Sequence, residues 1–231
     1  MTPERKNRIE AVLSKRQPDL TILTDQVHKG RNLSAIVRTA DAVGIGHIHC
    51  VINDDDYYAF RGTAKGSHQW VKVHRHLGIS DALQPLQQQS FQVIAADVTD
   101  SSCDFREVDY TRPTVLILGA ERDGLSVESR TWVDQFVTVP MVGMVESFNV
   151  SVAAGIILAE ALRQRQCAGL YDHQRIDNAE FQQLFFEWAH PKIAAYCQEK
   201  ALAYPPLDAE GEIINPSAWY ASVKQQQRQN Q

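Results

Sequence analysis

The sequence lacks most of the short signatures that fix a function at sight. Its four cysteines, Cys50, Cys103, Cys167 and Cys197, form no CxxC pair and no metal-ligand spacing, so no metal site is expected. They read as reduced thiols of a cytoplasmic protein. No apolar run reaches the length of a membrane span. The opening MTPERKNRIE is too polar for a secretory signal, and no membrane partner is expected. GxGxxG, HExxH and GxSxG are all missing, which argues against a Rossmann dehydrogenase, a zinc protease and a serine hydrolase. A basic excess is missing too: the net charge is −5. No DNA partner is expected, and any polyanion must be met by a local patch.

What is present is ordinary for a globular chain. Hydrophobic residues make up 44% and charged residues 22% of 231, enough for one medium domain with extensions or two small ones. Residues 1–31 hold seven basic and four acidic side chains, a local excess of positive charge. Residues 4–16 have the pattern of a basic amphipathic helix. It is either a solvated arm packed on the body or an arm that touches phosphates.

The pattern then alternates. Leu20–Thr24 is β-prone. Leu33, Ile36, Val37 and Ala40 follow the i, i+3, i+4, i+7 rule of a helix, with Asn32 in the N-cap place and Gly44 as the stop. Ser34, Arg38 and Asp41 share the opposite face, where Arg38 and Asp41 could form a weak surface pair. Asn32 and Arg38 would point about 120° apart on one helix. They could act together only if Asn32 sits at the helix mouth, off the cylinder. His47–Ile52 reads as a strand. Asp54–Asp56 is a turn, and Arg61–Ser67 is a basic, small-residue segment without Walker spacing. Val71–His74 is a strand, Ser80–Gln89 a helix and Phe91–Ala96 a strand. His74, Arg75 and His76 make a polar cluster that suits a surface.

Thr114–Gly119 is almost continuously apolar, as a strand buried on both faces is. It runs into Ala120-Glu121-Arg122-Asp123-Gly124, which puts the Glu121 carboxylate at the strand's C-terminal edge, where parallel sheets bind ligands. Gln135–Val139 is the last strand. It feeds the flexible apolar loop Met141–Met144, then Ser147-Phe148-Asn149, then a helix from Val150 whose first ten residues carry one polar side chain, Ser151. Ser147 or Asn149 suits an N-cap. The order strand–helix–strand repeats, so the fold class is α/β with a mainly parallel sheet. Residues 177–231 are rich in Gln, Ala and aromatics and read as two or three short helices. Three parts follow: a helical arm over 1–18, a catalytic domain over 19–168 and a helical extension over 169–231.

Three segments resemble, in order, the motifs of one family: NLSAIVRTADAVG (32–44), LILGAERDG (116–124) and VPMVGMVESFNVSVAAGIILAEALRQR (139–165). KRQPDL (15–20) and DFREVDYTRPT (104–114) add to the likeness. The chain is identified on these residues as a member of the SpoU, or TrmH, branch of the SPOUT methyltransferases. The resemblance implies a C-terminal deep trefoil knot, an exception to the usual absence of knots, and a homodimer with the terminal helix at the interface. It implies S-adenosylmethionine as cofactor, held by Ala96, Gly119, Val139, Met141 and Phe148. The implied reaction is 2′-O-methylation of a guanosine ribose in the tRNA D-loop, at position 18. Its implied catalytic residues are Arg38, Asn32, Glu121, Ser147 and Asn149. Arg8, Arg16, Arg163, Arg165 and Arg175 are the candidates for tRNA phosphates. Phe148 departs from the family's usual Leu. The alternatives are a ribose methyltransferase acting on ribosomal RNA or another tRNA nucleotide, a non-catalytic RNA-binding protein, and a small-molecule α/β enzyme.

Overall fold

The computed structural model describes residues 1–52 and 69–229. The expected turn at 54–56 and the basic segment 61–67 lie outside them. The chain divides into two compact units, Lys15–Arg175 and a helical unit of Met1–Ser14 with Ile176–Gln231.

Among the described residues, the larger unit is built on seven strands: β1 (Leu20–Asp25), β2 (His47–Val51), β3 (Lys72–His76), β4 (Gln92–Ala96), β5 (Cys103–Asp104), β6 (Thr114–Leu118) and β7 (Gln135–Thr138). They pair in parallel in the order β3-β2-β1-β6-β4-β7-β5. The two central strands, β1 and β6, are buried at every position. That is the consequence of their largely apolar runs, because a sheet centre covered on both faces has little place for polar side chains.

Successive side chains alternate between faces. On one face Ile22, Leu116 and Leu118 meet α2 (Gly30–Ala42) and α5 (Val150–Cys167) through Leu33, Ile36, Ala154, Ile157 and Leu158. On the other, Leu23, Val115 and Ile117 meet α3 (Ile79–Gln88) through Ile79, Leu83 and Leu86. Each such large side chain buried contributes about 1.5–3 kcal/mol. The short helix α4 (Val127–Arg130) begins at Ser126, whose hydroxyl accepts from the Ser129 amide at 3.1 Å.

Two helix boundaries test the sequence reading. Gly44 does end α2: its φ of +86° is open to glycine, and a Cβ there would stand 2.8 Å from the Lys15 carbonyl. Asn32 is not the N-cap. The helix starts at Gly30, capped by Lys29 without a side-chain bond, so Asn32 lies in the first turn, on the cylinder. The expected Arg38–Asp41 pair is also absent. Asp41 instead accepts from Arg16 Nη2 at 2.7 Å.

His74 and His76 belong to a half-buried ladder rather than a plain surface cluster. His47 Nδ1 lies 2.8 Å from His74 Nε2, and His49 Nδ1 lies 2.9 Å from His76 Nε2. Burial, reinforced by the neighbouring rings, lowers His49 to about 3.

In the helical unit, α1 (Pro3–Leu13) packs on α6 (Asn178–Ala189), which packs on α7 (Pro191–Glu199); α8 (Pro216–Gln229) follows. Arg5 donates to the Trp188 carbonyl at 2.9 Å. Phe186 stacks on Tyr204 with ring centroids 4.5 Å apart. The N-terminal arm and the C-terminal extension thus form one unit, not two separate appendages.

Candidate active site

The seven strands run in parallel, so their C-terminal ends share one edge of the sheet. A cleft of about 690 Å³ opens there, at the ends of β4, β6 and β7. Ala96 closes β4, Gly119 follows β6, and Val139 and Met141 follow β7; all four line the cleft. Ser147, Phe148 and Asn149 line it from the loop that enters α5, and Ala153 and Ile157 from the helix itself. Glu121 stands at the rim in an ion pair with Lys29. Every predicted cofactor residue, with Glu121, Ser147 and Asn149, is therefore brought to one place.

Local chemistry explains why. Asn149 caps α5: its Oδ1 accepts from the Ser151 amide at 2.9 Å and from the Ser151 hydroxyl at 2.6 Å. Its Nδ2 donates to Asn32 Oδ1 at 3.3 Å, tying the start of α5 to the start of α2. Gly119 is required by crowding. A Cβ there would stand 2.4 Å from the Gly124 carbonyl carbon and 2.7 Å from the Leu125 nitrogen. The tight turn behind it is closed by Ala120 and Gly124, whose amides and carbonyls exchange bonds of 2.9 and 3.0 Å. Among the described residues, no backbone group of 141–148 has a backbone hydrogen-bond partner. An apolar floor beneath open N–H donors and C=O acceptors suits a ligand with one flat apolar part and several polar atoms. These residues therefore fit a nucleoside cofactor such as S-adenosylmethionine.

Arg38 is exposed on α2 and does not line the cleft. Asn32 touches the cleft only through Asn149. Sequence reasoning missed Lys29, Asp97 and Arg122, which also line the cleft. Each immediately precedes α2 or follows a strand end, and that position is the signal that could have found them.

The predicted RNA contacts divide. Arg8 is exposed and has no partner among the described residues. Arg163 is exposed but forks onto Glu160 at 2.7 and 2.8 Å, which holds Glu160 down at about 2. Arg175 gives two bonds, 2.5 and 2.8 Å, to Asp19. Arg16 and Arg165 are corrected outright. Arg16 is 2% exposed and donates to the carbonyls of Ile45 and Trp70 as well as to Asp41. Arg165 is fully buried and donates to the carbonyls of Tyr110, Asp19 and Arg112, to Gln17 and to the Asp19 carboxylate. A buried guanidinium whose donors are turned to protein oxygens is not available to a phosphate. Arg165 also lies at the far end of α5, about 24 Å from Asn149 at 1.5 Å per residue.

A second cavity, of about 760 Å³, lies within the helical unit between Phe181, Phe186, Tyr204 and Pro205. It gathers none of the predicted residues.

Sheet and cleft together define an α/β protein that holds a small ligand at the strand ends. Its relatives narrow this. Residues 19–159 match the model of the SpoU rRNA Methylase family, and residues 163–216 match the C-terminal SpoU rRNA methylase model. The chain belongs to the SpoU methylase family. It is 44% identical to a tRNA (guanosine(18)-2′-O)-methyltransferase of Escherichia coli, over 97% of this chain and 99% of that one. It is 47% identical to the enzyme of the same name from Thermus thermophilus, over 81% of this chain and 96% of that one. Among solved structures, the A. aeolicus TrmH/SpoU tRNA modifying enzyme superposes with a TM-score of 0.73 at 39% identity, covering 82% of this chain and 97% of that one. The SpoU methyltransferase AviRb of Streptomyces viridochromogenes, in complex with the cofactor AdoMet, gives 0.58 at 28% identity, over 67% and 62%.

Proposed function

We propose that this protein is an S-adenosylmethionine-dependent ribose 2′-O-methyltransferase whose substrate is guanosine 18 in the tRNA D-loop. The observation that carries the reading is the convergence of Ala96, Gly119, Glu121, Val139, Met141, Ser147, Phe148 and Asn149 on one cleft. The relatives of 44% and 47% identity, named for that reaction, supply the substrate. Residues 19–168 carry the chemistry, with helical extensions over 1–18 and 169–231. The cytoplasm is the proposed location.

When bound, S-adenosylmethionine supplies a methyl group already electrophilic on its sulfonium. What remains for the chain is to place a ribose 2′-hydroxyl and manage its proton. Val139, Met141 and Phe148, which line the cleft, would hold the cofactor. Asn149, fixed by its own cap and by Asn32, shapes the approach of the ribose. Arg38 would orient a substrate phosphate and offset negative charge on the ribose oxygen, whose proton passes to solvent. Arg8 and Arg38 remain as exposed phosphate contacts; Arg163 joins them only by leaving Glu160.

A homodimer and a trefoil knot over the segment from β7 to α5 complete the proposal. Val142, Met144, Val145 and Val152 are all more than 40% exposed and lie together in sequence around the cleft loop and the start of α5. Such a patch suits burial against a second copy. In that dimer Arg38, outside its own cleft, is free to serve the partner's.

The test is to incubate the protein with unmodified tRNA transcript and methyl-labelled S-adenosylmethionine, with Arg38→Ala alongside, and to map the label by nuclease digestion. Label as 2′-O-methylguanosine in the D-loop, lost in the variant, is the expected result. Cofactor binding without label on any tRNA would reject this substrate.

A further inference from the structure

Beside the cofactor cleft lies a smaller cavity of about 210 Å³, between the ends of the neighbouring strands β1 and β6. The two cavities share Lys29, Ala120, Glu121 and Arg122 as a common wall. The smaller one is lined further by Gln26, Val27, His28 and Asp123. Its volume suits one nucleobase.

Three of its polar side chains, Gln26, Arg122 and Asp123, are unengaged among the described residues. Asp123 and the Gln26 side-chain amide have no hydrogen-bond or ion-pair partner among the described residues, whereas Glu121 is held by Lys29. Gln26 is also strained. Its φ is +56°, a region that costs a non-glycine residue about 1 kcal/mol or more and that clusters at functional sites. Its backbone N–H donates to the Val51 carbonyl at 3.0 Å, which fixes the backbone in that form.

We propose that this cavity is the base subsite of the methyl-transfer reaction, and that Asp123 selects guanine, with Gln26 as its complement. The inference rests on the ribose-methyltransferase reading above. A ribose at the shared wall puts its base on one side and the cofactor on the other. Guanine presents two adjacent donors, N1–H and N2–H, beside the O6 acceptor. One carboxylate accepts both donors, and a carboxamide N–H reaches O6. Adenine turns a lone pair at N1 toward the same carboxylate and is repelled. An unpaired polar group left in a recognition site is what makes such discrimination steep.

The test compares tRNA transcripts carrying guanosine or inosine at the target position. Inosine lacks only the 2-amino group. For the wild type, kcat/KM should favour guanosine by about ten- to a hundredfold, the usual weight of a hydrogen bond to a charged group. Asp123→Asn should reduce that ratio to within a few-fold of unity. A thermal melt establishes that the variant is folded. An unchanged guanosine-to-inosine ratio in Asp123→Asn overturns the subsite alone. No transfer by the wild type to any transcript overturns the functional reading, and this one with it.

Discussion

Arg165 decides between two uses of a cation near the end of the longest helix. Its guanidinium reaches Asp19 and Gln17 ahead of β1 and the carbonyls of Tyr110 and Arg112 ahead of β6. It therefore staples α5 to the N-terminal edge of the sheet. Arg165→Met fills the volume but removes every one of those bonds. Arg175 still pairs Asp19, so the loss is that of the buried carbonyls of Tyr110 and Arg112 left without their donor, about 1–3 kcal/mol for each unsatisfied group, a large share of the roughly 5–15 kcal/mol that holds a domain folded. Arg165→Lys keeps the charge but loses the fork, and should lose at least half as much. Urea denaturation is the assay: the midpoint should fall while the slope, set by exposed area, stays fixed. A tRNA titration at several salt concentrations completes it. A lost phosphate contact lowers the salt slope by about one, whereas a buried staple leaves the slope alone. Stability within about 0.5 kcal/mol of wild type, together with a reduced salt slope, would refute the reasoning.

Three further outcomes follow from particular positions. Gly119→Ala drives a Cβ into the Gly124 backbone, so it should destabilise the fold by about 1–3 kcal/mol and weaken S-adenosylmethionine binding by calorimetry; unchanged affinity would remove the turn from the site. Gly155 on α5 has nothing within 4 Å of an added Cβ, so Gly155→Ala should stabilise the monomer by about 0.5–1 kcal/mol and, if α5 pairs with a second copy, loosen the dimer in sedimentation. Burial raises the Asp19 carboxyl, but Arg175 and then Arg165 outweigh it and hold it below its ordinary value. The sign is that of a depressed acid: the stabilisation is complete above the unfolded carboxyl pKa of about 3.9 and is lost as pH falls through the native value. The urea midpoint should drop below about pH 4, and Asp19→Asn should flatten that part of the profile.

Most strands were legible because each is a local pattern. Leu20–Thr24 and Thr114–Leu118 are apolar or β-branched at every position, and only a strand buried on both faces needs that. The helices were legible by period and by stop signals such as Gly44. Strand β5 was not, because two residues carry no period; Cys103 and Asp104 become a strand only by pairing with Val137 and Thr138. The cap of α2 was misplaced for a related reason. Asn32 has the right chemistry for an N-cap, but its Oδ1 is engaged by Asn149, 117 residues away, and a tertiary partner overrides a local preference.

The same distinction explains why the cleft was legible and the cations were not. A residue that must sit at the C-terminal end of a parallel strand is marked in sequence by the strand before it, which is how Glu121 was placed; Ala96, Gly119 and Val139 were placed by the family resemblance, and they too follow or close strands. Their convergence needs only that β6, β4 and β7 lie side by side. An arginine carries no such mark. Arg8, Arg16, Arg163 and Arg165 look alike along the chain, yet the first is exposed, the third forks onto its own helix, and the second and fourth are interior. What separates them is whether a carboxylate and a set of carbonyls from distant segments arrive at the guanidinium. Arg16 finds them at Asp41, Ile45 and Trp70, and Arg165 finds them at Asp19, Tyr110 and Arg112. Charge along a sequence therefore predicts a phosphate contact only where folding has left the charge uncommitted, and on that criterion Arg8 and Arg38 are among the positions at which substitution should change the salt dependence of RNA binding.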